Sequence, residues 1–199
     1  MSIFNLNIQN ENTHNKIVAG LERLSNVFKT LLWEKAKEFG LSPIQIQILI
    51  FIQYHSHEKN TVSYLAKEFN ITKPTVSDAV KALGQKKLVE KLNDTNDSRS
   101  FSLKITDYGK TIVKETEDFT NPVSQLLNGI PESEKEIFWK IISETIIKLN
   151  SRGIINIQRA CKNCIYLTSD NQEYYCNLLK QPLHQSDLRI DCPEFTQAV

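Results

Sequence analysis

Residues 71–110 read ITKPTVSDAVKALGQKKLVEKLNDTNDSRSFSLKITDYGK, and the order of patterns in that stretch decides the fold. Thr72 precedes Lys73 and Pro74, so a hydroxyl can cap the first amides of a helix whose first turn tolerates proline, since the N–H there has no helical partner anyway. Val76, Val80 and Leu83 then recur at helical spacing as an inner stripe. Leu88–Leu92 and Phe101–Thr106 alternate as strands do, and the eight residues between them, NDTNDSRS, are rich in turn formers. The pattern predicts a helix followed by a hairpin with a long polar tip.

Upstream, Ile17, Leu21, Leu24, Phe28 and Leu31 recur at steps of three and four between Asn12 and Phe39, one face of a long helix that Gly40 ends. Ser42 and Pro43 start a second helix, and Ile44–Tyr54 is apolar on more than one side, as a buried central helix requires. A polar loop, His55–Asn60, leads into a short helix over Thr61–Phe69 that Asn70 closes. Downstream, one helix is expected from Asp107 towards Leu127, bent or broken near Pro122, and another from Pro131 to the stop at Asn150–Gly153.

With 24 Lys or Arg against 23 Asp or Glu in 199 residues, and 40% hydrophobic residues, the chain has a globular composition and neither a polybasic nor an acidic tail. Its longest apolar run, Ile48–Ile52, is far shorter than the roughly 18 residues of a membrane helix, and its first Lys or Arg is Lys16. Neither a membrane span nor a secretory leader is expected, and the cytoplasm is the expected location. Six glycines and four histidines include no phosphate loop, no nucleophile elbow and no H-E-x-x-H, which argues against an enzyme.

Three helices followed by a hairpin is the order of a winged helix-turn-helix, whose third helix can enter the major groove while the hairpin reaches along the DNA backbone. On that helix Lys73, Thr75, Ser77, Asp78 and Lys81 lie off the inner stripe, as side chains able to reach base edges and phosphates would. In the hairpin tip Arg99, flanked by Ser98 and Ser100, supplies a guanidinium suited to a narrow minor groove, with Asp97 placed to orient it or to form the turn. Nine basic residues stand against six acidic ones between Asn60 and Lys110, a local charge of +3 in a chain of +1.

These residues resemble the MarR family of bacterial transcription regulators. LSPIQIQILIFI looks like its central helix, ITKPTVSDAVKAL like its recognition helix, and DSRSFSLKITDYGK like its wing, where Asp97, Arg99, Ser100, Leu103, Thr106 and Gly109 follow the pattern D-x-R-S then L-x-L-T-x-x-G. The long first helix and the final helices look like the family's dimerisation domain, so the resemblance runs over about Asn12–Gly153. It implies a homodimer on a near-palindromic double-stranded DNA operator. One departure is Lys87, where the family usually has glycine before the apolar pair Leu88–Val89. The resemblance also suggests a small-molecule effector, for which Phe28, Trp33, Phe51 and Tyr54 are candidate pocket residues.

All four cysteines, Cys161, Cys164, Cys176 and Cys192, lie near the end of the chain with spacing C-x2-C-x11-C-x15-C. A cytoplasmic address disfavours disulfides, and four thiolates suit a 4Fe-4S cluster or, as the alternative, a tetrahedral Zn2+. Ile165, Tyr166, Leu167, Tyr174, Tyr175, Leu178, Leu179 and Phe195 surround them in sequence, a shell that excludes water and tunes a cluster. His184 is a possible substitute ligand; His55, His57 and Glu58 form a weaker metal candidate. The tail is also similar to the small cluster-bearing subunits of some glycyl-radical enzymes, over about 35 residues ending in C-x-x-F.

The expected architecture is therefore mainly α with a small β-hairpin wing. Residues 1–153 form a dimerisation and winged-helix DNA-binding domain, and residues 154–199 a small metal-dependent module too short to stabilise itself by its own core. The expected function is a dimeric DNA-binding regulator, a repressor by preference, whose cysteine centre senses redox state or iron. Two rival readings are a small-ligand-responsive regulator with a structural Zn2+ and a redox or electron-transfer protein on a DNA-binding fold.

Overall fold

A computed structural model describes residues 2–93, 101–170 and 173–197. The helices expected upstream of the hairpin are present, and the two caps expected at Ser42 and Thr72 are formed. After a short helix α1 (Leu6–Asn10), the long helix α2 (Thr13–Glu38) is capped by Asn12 and α3 (Pro43–Tyr54) by Ser42, which forms a reciprocal capping box with Gln45. Thr61 and Thr72 cap α4 (Val62–Glu68) and α5 (Lys73–Gln85), with Pro74 in the first turn of α5. Strands β1 (Val89–Asn93) and β2 (Phe101–Ile105) pair antiparallel, with Val89 opposite Ile105 and Asn93 opposite Phe101.

Three helix ends close alike, on residues of different kinds. Gly40, Asn70 and Lys87 have φ of 59°, 53° and 58°, and the next residue's N–H returns to a carbonyl five residues back: Leu41 to Ala36, Ile71 to Ala66, Leu88 to Leu83. Lys87 thus adopts the left-handed conformation that glycine takes without a steric penalty, and the departure noted at that position leaves the turn intact.

The core gathers α3, α4, α5, the hairpin and the next helix, α6 (Asp107–Thr116). Ile48, Leu49, Leu65, Val76, Leu83 and Leu103 are fully buried at its centre. Asn60 pins the wing to it, its carbonyl accepting from the Leu103 N–H at 2.8 Å. The Thr-x-x-Gly of the wing pattern has a packing cause: Thr106 caps α6 through the Gly109 N–H, and a Cβ at Gly109 would overlap the Leu88 carbonyl oxygen. Leu32 and Ala36 of α2 pack on Ile46 in a second, smaller cluster.

The helix expected over Asp107–Leu127 is broken earlier than its proline. It ends at Thr116, runs as a 3-10 turn through Glu117–Thr120, and restarts as α7 (Asn121–Leu127), where Pro122 sits in the first turn. Helix α8 (Glu132–Ser151) follows Pro131. The cysteine-bearing segment contains a small antiparallel sheet that its sequence did not suggest: β3 (Leu167–Asp170), β4 (Glu173–Cys176) and β5 (Gln181–Leu183), in that order. Pro182 sits on its edge strand, where a missing N–H is tolerated.

Candidate nucleic-acid interface and cysteine centre

Helix α5 is locked on one side and open on the other. Val76, Ala79, Val80 and Leu83 are buried, while all five residues expected to face DNA, Lys73, Thr75, Ser77, Asp78 and Lys81, are exposed. Thr75 also shares a hydrogen bond with the cap hydroxyl of Thr72 at 2.8 Å, which fixes the start of the helix. Between α5 and the wing runs an open groove of about 340 Å³ bordered by Ser77, Lys81, Lys91 and Phe101, with the Lys91 ammonium 4.3 Å from the Phe101 ring centre. Asp97, Arg99 and Ser100 lie outside the described residues.

The basic excess of this region is partly structural. Lys86 donates to the Gly40 carbonyl at 2.9 Å, Lys104 pairs with Glu90 and Lys110 with Asp107. Among the described residues, Lys73, Lys81 and Lys91 present cations along the α5 face and the wing base. A helix seated by its apolar face, carrying short polar groups and amines outward beside a hairpin, has the chemistry to read base edges and hold phosphates.

The four cysteines, 31 residues apart at the extremes, border one small cavity of about 30 Å³ together with Tyr166, Leu167, Leu178, Leu179, Leu183, Arg189 and Glu194. Cys161 and Cys164 bracket a 3-10 turn, Cys176 ends β4, and Cys192 lies on the returning chain. Main-chain bonds close the ring: Cys161 N–H to the Arg189 carbonyl, Cys192 N–H to the Arg159 carbonyl, and Ile165 N–H to the Thr196 carbonyl. All four cysteines are free thiols. Burial pushes the Cys161 thiol up, and the neighbouring Cys192, Cys164 and Cys176 push the same way against the Arg189 N–H that donates to its Sγ at 3.2 Å. Among the described residues no three His, Cys, Asp or Glu side chains form a ready-made metal coordination sphere. The donor set itself, four soft sulfurs in an apolar wall, suits a thiolate-bound metal. His184 is exposed and does not line the cavity.

The connection between the two regions was not visible in the sequence. Arg159 is buried, and its guanidinium is forked between two carboxylates: Nε and Nη2 donate to Asp191 at 2.6 and 2.7 Å, Nη1 and Nη2 to Glu68 at 2.6 and 3.1 Å, and Nη1 also to the Tyr64 hydroxyl at 2.9 Å. Burial works against the charge on Arg159, but the hydrogen bonds to Asp191 and Glu68 outweigh it and hold the guanidinium above its ordinary value. Burial likewise pushes Asp191 up, and the bonds from Arg159 and His55 win, holding its carboxyl well below the usual carboxylate range. His55 bonds Asp191 through Nε2 at 3.0 Å and stacks on Phe51 at 3.8 Å, so it is a member of this cluster. An Arg ahead of the first cysteine was the only signal for it; the partners are 32 and 91 residues away.

The four aromatics Phe28, Trp33, Phe51 and Tyr54 differ in burial within the single chain. Phe51 belongs to the buried core, and the other three are exposed side chains on α2 and at the end of α3. A cleft of about 830 Å³ lies between α4, the end of α8 and the cysteine segment, with Lys59, Lys67 and Lys162 on its walls.

Residues 39–100 match the model of the MarR family. The chain is 24% identical over 112 residues to the HTH-type transcriptional repressor YetL of Bacillus subtilis, covering 56% of this chain and 67% of that one. The MepR–DNA complex of Staphylococcus aureus superimposes with a TM-score of 0.59 at 24% identity, over 70% of this chain and 100% of that one. MepR of the same organism in its DNA-binding conformation gives 0.58 at 23% identity, over 67% and 98%. The fold is therefore a MarR-like winged helix. No described helix is long and apolar enough to cross a membrane.

Proposed function

We propose that this chain is a cytoplasmic, DNA-binding transcription regulator of the MarR type, acting as a homodimer on a near-palindromic operator. The exposed polar face of α5, held against the core beside the wing, carries the reading. Residues of the kind that reach DNA stand there on a fold shared with a protein solved as a DNA complex. Dimerisation is supported by Ile17, Leu21 and Leu24 of α2 and Ile137, Phe138 and Ile141 of α8, all exposed in the single chain. Residues 1–153 form the DNA-binding unit and residues 154–199 the module that tunes it.

In that module Cys161, Cys164, Cys176 and Cys192 hold a metal centre, a 4Fe-4S cluster by preference, because Leu167, Leu178, Leu179 and Leu183 give the cavity an apolar wall. The centre contributes redox sensitivity; the chain contributes four thiolates, the Arg189 N–H on Cys161 and exclusion of water. A single Zn2+ is the second reading, favoured by the cavity's small volume, about 30 Å³. Anaerobically prepared protein with a visible absorption band and iron supports the cluster; colourless protein with one zinc per chain supports the ion.

The DNA-binding reading is tested by selecting duplexes from a random-sequence pool with the full-length chain. A near-palindrome with half-sites about 10 base pairs apart is expected. On that duplex Lys81→Ala and Arg99→Ala each weaken binding several-fold and reduce the salt slope by about one unit. An unenriched pool contradicts the reading.

A further inference from the structure

Arg159 bonds the cysteine segment to the first helix of the helix-turn-helix, with lesser links from Asn156 to Asn70 and from Asp191 to His55 beside it. Glu68 and Tyr64 belong to α4, which packs against α5, and both bond Arg159. At the other end, the Arg159 carbonyl accepts from the Cys192 N–H at 3.1 Å, and its guanidinium holds Asp191, the residue before Cys192. Arg159 and Glu68 side chains are 6% and 18% exposed, so parting them strands a buried guanidinium and a partly buried carboxylate. Partial separation is therefore disfavoured, and the contact is close to two-state: docked as a set or released as a set.

From this geometry we propose that Arg159 is a positioning residue that transmits the state of the cysteine centre to the DNA-reading helices. The proposal rests on the reading of the four thiols as a metal centre. With the centre in place, the Cys161 and Cys192 segments are held side by side and Arg159 is presented to α4. When the centre is lost, the returning segment with Asp191 and Cys192 is released, the guanidinium loses its two bonds to Asp191, and the clamp on α4 loosens. Because α4 packs on α5, the seating of the reading helix changes with it.

The test uses the full-length chain, metal-loaded under anaerobic conditions and metal-stripped by chelation in reducing buffer, with the duplex selected by the wild type. Wild-type affinities in the two forms differ by about tenfold or more. Arg159→Met breaks the clamp from the module side and Glu68→Gln from the α4 side, without touching a thiol. Each is expected to reduce the ratio to below about threefold while the loaded protein keeps its metal and its dimer. Hydrogen exchange over residues 62–68 supplies a readout that plain destabilisation would not give. Stripping the metal speeds it in the wild type, whereas in Arg159→Met it is already fast and stripping adds nothing. A metal-loaded Glu68→Gln protein that retains the full tenfold ratio overturns the proposal, as does unchanged exchange at 62–68 in a wild type whose affinity responds to metal. A wild type that holds no metal, or binds DNA equally in both forms, overturns the underlying sensor reading and the coupling with it.

Discussion

Between Ile48 and Val113 sixteen buried apolar side chains close into one cluster, whereas beyond Gly153 the buried residues among those described are Arg159, Ala160 and Leu188, one of them a cation. The winged helix is held by area removed from water, at about 25 cal/mol per Å². The cysteine segment has little such area and relies on main-chain bonds, a forked arginine and four thiols facing one cavity. The difference teaches where each region can be switched. A packed core tolerates no partial state, while a segment held by a few polar links can be released without unfolding what it is attached to.

The largest effect is expected at the metal centre proposed for the weaker region. Cys176→Ser should lower metal content from one centre per chain to below about a tenth, because the site loses both a bond and charge compensation. Metal analysis of anaerobically prepared protein checks this, and full occupancy would remove Cys176 from the ligands. Next is the apolar surface that neither region covers. Leu24→Asp or Ile141→Asp should weaken the dimer by about a hundredfold or more, since each places an unpaired carboxylate in an apolar interface. Sedimentation velocity should then show monomers, and tight DNA binding should vanish with the dimer.

Two changes in the core-held region should have smaller effects. Gly109→Ala should destabilise it by about 1–3 kcal/mol, because the added methyl meets the Leu88 carbonyl oxygen and Ile105 Cγ1 at 2.7 Å. Denaturant unfolding measures the loss, and the metal content should not follow it. Lys87→Gly should stabilise the same region by about 0.5–1 kcal/mol by relieving a left-handed residue at φ 58°. A lower denaturation midpoint for Lys87→Gly would mean that the lysine side chain supplies something beyond its backbone conformation.

What could be read in advance follows from how far each signal reaches along the chain. The caps at Ser42 and Thr72, the stop at Gly40 and the inner stripe of α5 act over three to five residues, so their residues announce them. Lys87 does the work of a glycine without carrying its signature, and only the returning Leu88 N–H reveals the turn. The cysteines were legible as a cluster because thiols are few and all lie together in the sequence. The sheet β3–β4–β5 was not, since its strands are three or four residues long and one contains Pro182. The Arg159 clamp was least legible: Glu68 and Asp191 are ordinary surface-type residues until folding brings them to one guanidinium. Helical spacing also separates the aromatics, placing Phe51 in the core and leaving Phe28, Trp33 and Tyr54 exposed on the single chain.

The contrast between a core-held reader and a thiol-held module is tested most directly by hydrogen exchange over the whole full-length chain before and after metal removal. Residues 160–192 should lose their protection together, α4 should loosen by a smaller amount, and the buried stretches 46–52, 76–83 and 103–113 should keep theirs. Equal protection of residues 160–192 in both forms would contradict a metal-held module. Collapse of protection across all of these stretches at once would contradict the independence of the winged helix.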